Sequence, residues 1–199
     1  MTTAVVVLLV LVLVAAVAVL AVLLARSRRS STASPRDPLG PSGPFDHRHL
    51  ATGDIVSFAG RDLVVRGTMH LEEDGFRWKE HLLDDAAGGR VWLSVEDDED
   101  LELVFWEGVD APELEPGAPR LQHGGATYVR RESGRASYRA DGSTGTPETG
   151  QIEYHDYAAG EDRLSFERTI GDTWEISEGT RTSPGSVVLF PRPRTERER

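Results

Sequence analysis

The sequence predicts an all-β fold: two similar antiparallel β-units, a duplicated barrel, roll or sandwich, behind one N-terminal transmembrane helix. Three observations carry this. Residues 4–25 form an unbroken apolar stretch. Beyond residue 45, short segments alternate apolar and polar residues with a period of two between turn residues, with almost no 3.6-residue periodicity. Residues 90–96 (RVWLSVE) lie over residues 161–167 (EDRLSFE), aligning Leu93 with Leu164, Ser94 with Ser165 and Glu96 with Glu167, the self-similarity a duplication leaves behind.

The apolar stretch, AVVVLLVLVLVAAVAVLAVLLA, has no polar side chain. At about 1.5 Å rise per residue it spans roughly 33 Å, enough for the ~30 Å hydrocarbon core. A buried soluble helix is rarely apolar on every face for that length. A cleaved signal peptide needs a basic n-region and a shorter apolar run, and residues 1–3 (MTT) carry no side-chain charge. Arg26, Arg28 and Arg29 border the stretch, so the positive-inside rule leaves residues 1–3 outside and the C-terminal domain in the cytoplasm. The expectation is a single uncleaved anchor in a bacterial inner (plasma) membrane. The scarcity of lysine, Lys79 being the only one, beside abundant Arg, Ala, Val and Gly points to a GC-rich bacterial genome.

Residues 26–44 are crowded with Ser, Pro and Gly and read as a flexible linker. The folded region then covers residues 45–190, with halves at about 50–110 and 120–182, and the tail 191–199 (PRPRTERER) reads as disordered. In the first half, residues 54–58 and 61–71 flank a turn at Ala59-Gly60, residues 76–83 and 90–96 flank DDAAGG, and residues 101–107 close the set. In the second, residues 126–132 and 135–141 flank Ser133-Gly134, residues 151–158 and 162–170 flank Gly160, and residues 173–182 come last. On residues 76–83, strand alternation puts Phe76, Trp78, Glu80 and Leu82 on one face and Arg77, Lys79, His81 and Leu83 on the other.

Composition excludes several functions. There is no cysteine, so disulfide frameworks, zinc ribbons, iron–sulfur clusters and thiol catalysis are absent. A formal net charge of −11 argues against nucleic acid as the main partner. No G-x-S-x-G elbow, P-loop or dinucleotide glycine motif occurs. His47 and His49 form an H-x-H pair without a supporting third ligand, and no metal site or cofactor is expected. Residues 96–102 (EDDEDLE) hold six carboxylates in seven positions. They read either as a solvated loop that keeps a strand edge from aggregating or as a cation site formed by Glu96, Asp97, Asp98, Glu99, Asp100 and Glu102, for Ca²⁺ or a polyamine. EF-hand spacing is missing. Trp78, Trp92 and Trp106 are the aromatic faces a polyamine would use.

Gly53-Asp54, then Trp78, Glu80 and Leu83, then Trp92-Leu93 and Glu96 resemble the pattern of a bacterial domain of unknown function, the family numbered 4178. The family's aromatic after the Glu is His81 in this chain, and the resemblance runs from about Leu50 to Glu178. It implies a membrane-anchored actinobacterial layout and no established activity. It also implies gene neighbourhoods, linked to envelope stress, that contain polyamine aminopropyltransferases and small membrane proteins, which is association and not mechanism.

The expected function is therefore non-catalytic: a cytoplasmic β-domain tethered to the membrane, acting as an adaptor or sensor toward other membrane-associated proteins in an envelope-stress or polyamine-linked system. Trp78, Glu80, Trp92 and Glu107 are the residues expected nearest a recognition surface. The alternative is a binding module for polyamines or another cationic ligand.

Overall fold

The computed structural model describes residues 46–85, 87–98 and 100–193. The expected anchor at 4–25, the linker at 26–44 and residues 194–199 of the expected tail lie outside the described residues. Among the described residues no helix is long and apolar enough to cross a membrane.

Among the described residues eleven strands run antiparallel: β1 (Ile55–Phe58), β2 (Arg61–Glu73), β3 (Phe76–Asp84), β4 (Arg90–Asp97), β5 (Leu101–Gly108), β6 (Arg120–His123), β7 (Ala126–Gly142), β8 (Thr149–Ala159), β9 (Asp162–Thr169), β10 (Glu175–Thr182) and β11 (Val188–Phe190). Two short 3₁₀ turns, His47–His49 and Pro184–Ser186, accompany them. Strands β2-β3-β4-β5 form one meander and β7-β8-β9-β10 another. They join at both ends, β5 pairing with β10 and β2 with β7, so eight strands close into a barrel. Strands β1 and β11 extend the sheet beyond β2, and β6 extends it beyond β7.

The two four-stranded meanders thus form one closed sheet. Closure removes the free edges each half would otherwise expose. It depends on β2, whose first residues pair with β1 and whose later residues, Gly67 to Glu72, pair with β7, the switch following a bulge at Arg66. Gly67 and Gly142 sit opposite each other at this seam. A Cβ on Gly67 would lie 2.7 Å from the Ser143 backbone, and Gly142 adopts φ +77°.

One expected hairpin is absent. The segments flanking Ser133-Gly134 form a single strand, β7, running straight through. Gly134 serves close approach and not a turn: a Cβ there would overlap the Glu73 carboxylate, which accepts the Arg135 N–H at 2.9 Å and the Tyr154 hydroxyl at 2.5 Å.

Much of the core lies outside the barrel wall. Val65, Leu83, Leu93, Val95 and Leu103 point outward and are covered by Leu50, Val56, Val187 and Leu189 from the flanking strands and 3₁₀ turns. Across the barrel, Tyr157, Leu164 and Phe166 are covered in the same way by Leu114, Leu121 and Ala126. With apolar outer faces buried under these segments, strand alternation turns the more polar face inward. Met69, Leu71, Tyr138, Ala140 and Ile152 plug one part of the interior, and the remainder is open.

Candidate functional site

The open part of the interior is a cavity of about 760 Å³. Its wall includes Trp78 and Glu80 from β3, Trp92, Ser94 and Glu96 from β4, Trp106 from β5, Tyr154 and Asp156 from β8, and Ser165 and Glu167 from β9. Cross-strand register arranges eight of these as two matching squares. On β3–β4, Trp78 pairs with Glu96 and Glu80 with Ser94. On β8–β9, Tyr154 pairs with Glu167 and Asp156 with Ser165. Each square therefore carries an aromatic ring, a serine and two carboxyl groups. In the order β2-β3-β4-β5-β10-β9-β8-β7, β3 lies opposite β9 and β4 opposite β8, so the squares occupy facing walls. They meet at their aromatic corners, the Trp78 and Tyr154 ring centroids standing 6.0 Å apart edge to face.

Hydrogen bonds fix several of these groups. The Trp78 indole donates to Glu80 Oε1 at 3.1 Å, and the Trp106 indole to Ser94 Oγ at 3.0 Å. Gly179 lies across from Trp106 in the register, and a Cβ there would meet the indole at 2.7 Å. Among the described residues on the cavity wall Arg168 alone is basic. Its charge is engaged by Glu153 at 2.7 Å and its guanidinium stacks 4.4 Å over Trp174.

The carboxyl groups consequently hold their protons more tightly than usual. Burial lifts Glu80 to about 7, opposed by the Trp78 hydrogen bond and helped by repulsion from Glu96. Burial also lifts Glu96 to about 7, reinforced by Asp156, Glu102 and Glu132 and countered by Arg163. Asp156 rises to about 7 through burial, held back by Ser165 and pushed by Glu80 and Glu132. Glu167 rises well above the ordinary range through burial and the charges of Glu80, Asp156 and Glu175. Four carboxyl groups thus line one cavity, and Arg163, itself paired with Glu102, is the one described cation that opposes the shift of any of them.

Of the residues expected at a recognition surface, Trp78, Glu80 and Trp92 line this cavity. Glu107 does not: it is exposed and pairs with Arg61 at 2.6 Å. The acidic run at 96–102 does not converge on one point. Glu96 faces the cavity, Asp97 pairs with Arg48 at 2.6 Å, and Glu102 pairs with Arg163 and Arg181 at 3.2 and 2.9 Å. Asp98 and Asp100 are exposed on the β4–β5 turn, and Glu99 lies outside the described residues. Among the described residues no three acidic or histidine side chains are placed to hold a metal ion. His81, the departure from the family pattern, is buried on the outer side, where Nδ1 bonds the Thr68 hydroxyl at 2.9 Å. Sequence reasoning missed Tyr154, Asp156 and Glu167 as site residues.

The family model described as "Domain of unknown function (DUF4178)" matches residues 51–184. The chain belongs to this family. The DUF4178 protein is similar to the uncharacterised protein Mb2628 of Mycobacterium bovis and to the uncharacterised protein Rv2597 of Mycobacterium tuberculosis. Each is 40% identical over 157 residues, covering 75% of this chain and 75% of the relative. No solved structure matches the chain. The residues that carry the family pattern divide by role. Trp78, Glu80, Trp92 and Glu96 line the cavity, and Leu83 and Leu93 pack in the outer core. Asp54 ties the ends of the domain together, accepting from the Ala51 and Arg192 backbone N–H groups at 2.9 and 3.0 Å.

Proposed function

We propose that the DUF4178 barrel is a non-catalytic binding module for a small organic cation, such as a polyamine. It is held at the cytoplasmic face of the bacterial inner membrane by the apolar segment at 4–25. One observation carries the reading: Glu80, Glu96, Asp156 and Glu167 face a single cavity with Trp78, Trp92 and Trp106, and the one described basic residue on its wall is already paired. A bare lumen forces these carboxyl groups either to stay protonated or to repel one another, and a cation removes both costs. The indole faces favour an organic cation over a metal ion, each cation–π contact being worth about 0.5–2 kcal/mol. Tethering the barrel to the membrane suits a sensor that reports cation level to partners confined there. We read the two meanders as copies of one ancestral unit, consistent with their matching squares.

Tryptophan fluorescence of the full-length protein in detergent, titrated with spermidine at pH 8, tests this. The expected result is a saturable change that butane-1,4-diol does not produce and that is lost in the Glu80→Gln/Asp156→Asn double variant. A response no different from the diol's contradicts the proposal.

A second reading, an adaptor, draws support from the β1–β11 edge. Ile55, Val188 and Phe190 there are 36%, 52% and 48% exposed, and no charge stands among them to discourage pairing. Crosslinking in native membranes tests it, the expected partner contact being lost on Val188→Asp while cation binding persists.

A further inference from the structure

We infer that the ligand of this cavity is a linear dication, one cationic nitrogen resting on each wall. The inference rests on the proposed cation-binding reading and goes beyond it in fixing the number and placement of charges. The same square of groups appears twice, Trp78, Glu80, Ser94 and Glu96 on β3–β4 and Tyr154, Asp156, Ser165 and Glu167 on β8–β9, in the same register and on facing walls. Each square offers two carboxyl groups, a hydroxyl and an aromatic face, the set that an alkylammonium group with three N–H donors satisfies.

Glu167 carries the second wall's part of the argument. It lines the cavity across from Tyr154 in the register, and the charges that raise it are the carboxylates of Glu80, Asp156 and Glu175. A single monocation would neutralise one wall and leave the other as it is. A flexible chain bearing two cations addresses both, and its methylene groups cross the lumen between the Trp78 and Trp92 rings.

Isothermal titration of the full-length protein in detergent at pH 8 tests this with butane-1,4-diamine, octane-1,8-diamine and n-butylamine. The inference predicts that at least one diamine binds with a stoichiometry of one, ~tenfold or more tighter than n-butylamine, while n-butylamine binds with a stoichiometry of two. Glu96→Gln and Glu167→Gln, on opposite walls, each reduce the diamine to the affinity of n-butylamine and halve the n-butylamine stoichiometry. Diamines and n-butylamine binding within twofold of each other would overturn the two-wall placement and leave the cation-binding reading standing. If no amine binds the wild-type protein, the cation-binding reading itself fails.

Discussion

Glu80 on β3 and Asp156 on β8 hold the same corner of two matching groups on opposite sides of the barrel, Glu80 across from Ser94 and Asp156 across from Ser165. Among the described residues no cation opposes the shift of either carboxyl group, and burial raises both to about 7. In the empty barrel each is therefore a cost at alkaline pH. Glu80→Gln and Asp156→Asn are each expected to stabilise the ligand-free protein at pH 8 by about 1 kcal/mol, a rise in Tm of roughly 2–4 °C. Toward pH 4, where the groups are protonated in the folded chain and increasingly so in the unfolded one, the change falls toward zero. Thermal melts at the two pH values check this, and a loss of stability at pH 8 would contradict it.

The pH profile of the ligand-free protein follows with a definite sign. Glu80, Glu96, Asp156 and Glu167 bind protons more tightly folded than unfolded, with ordinary values of 3.8 to 4.5. Their contribution is fully present below about pH 4; for Glu80, Glu96 and Asp156 it is lost as pH rises through 7, and for Glu167 it falls in the same direction. His81 acts oppositely: burial, then Lys79 and His70, hold it down to about 3, so it costs stability as pH falls below 6.5. Asp46, Asp85, Asp97 and Glu153 are lowered by hydrogen bonds and lose their contribution in acid. Four interior carboxyl groups outweigh one histidine between pH 5 and 7. Calorimetry should show stability declining from pH 5 toward pH 8, with the decline shallower when spermidine is present.

The all-β character and nine of the eleven described strands were legible because alternation and turn residues are local signals; β6 and β11 are too short to show it. What alternation does not specify is which face turns inward. Trp78, Glu80 and Glu96 were recognisable, but as a surface and a loop, since nothing local says that β1, β11 and the 3₁₀ turns bury the opposite face of β3 and β4. Gly134 read as a turn because its reason, the approach of Glu73, comes from a strand distant in sequence. Asp156 and Glu167 were within reach: Glu167 already aligned with Glu96, and the alternation applied to residues 76–83 would have put Tyr154 and Asp156 on one face.

The seam between β2 and β7 is expected to be the barrel's most sensitive joint. Gly67→Ala drives a Cβ to 2.7 Å from the Ser143 backbone, and backbone cannot move aside as a side chain can. The expected loss is about 2–4 kcal/mol, measured by urea unfolding. Gly60→Ala, at an open hairpin turn, should cost only about 1 kcal/mol for its positive φ.

The acidic run should separate by position. Glu96→Gln is expected to weaken amine binding ~tenfold or more, one charge-assisted contact being worth about 1.5–3 kcal/mol. Asp98→Asn/Asp100→Asn and Glu107→Gln, all outside the cavity, should change it less than twofold. Fluorescence titration of the three variants reads this directly, and equal losses in all three would locate binding on the exterior.

The most direct test is a crystal structure of the protein with spermidine bound at pH 8. The account predicts ligand inside the barrel, with one nitrogen about 2.8 Å from a carboxylate of Glu80 or Glu96 and another equally close to Asp156 or Glu167. An empty interior, with the ligand seated only on the β4–β5 turn, would contradict it.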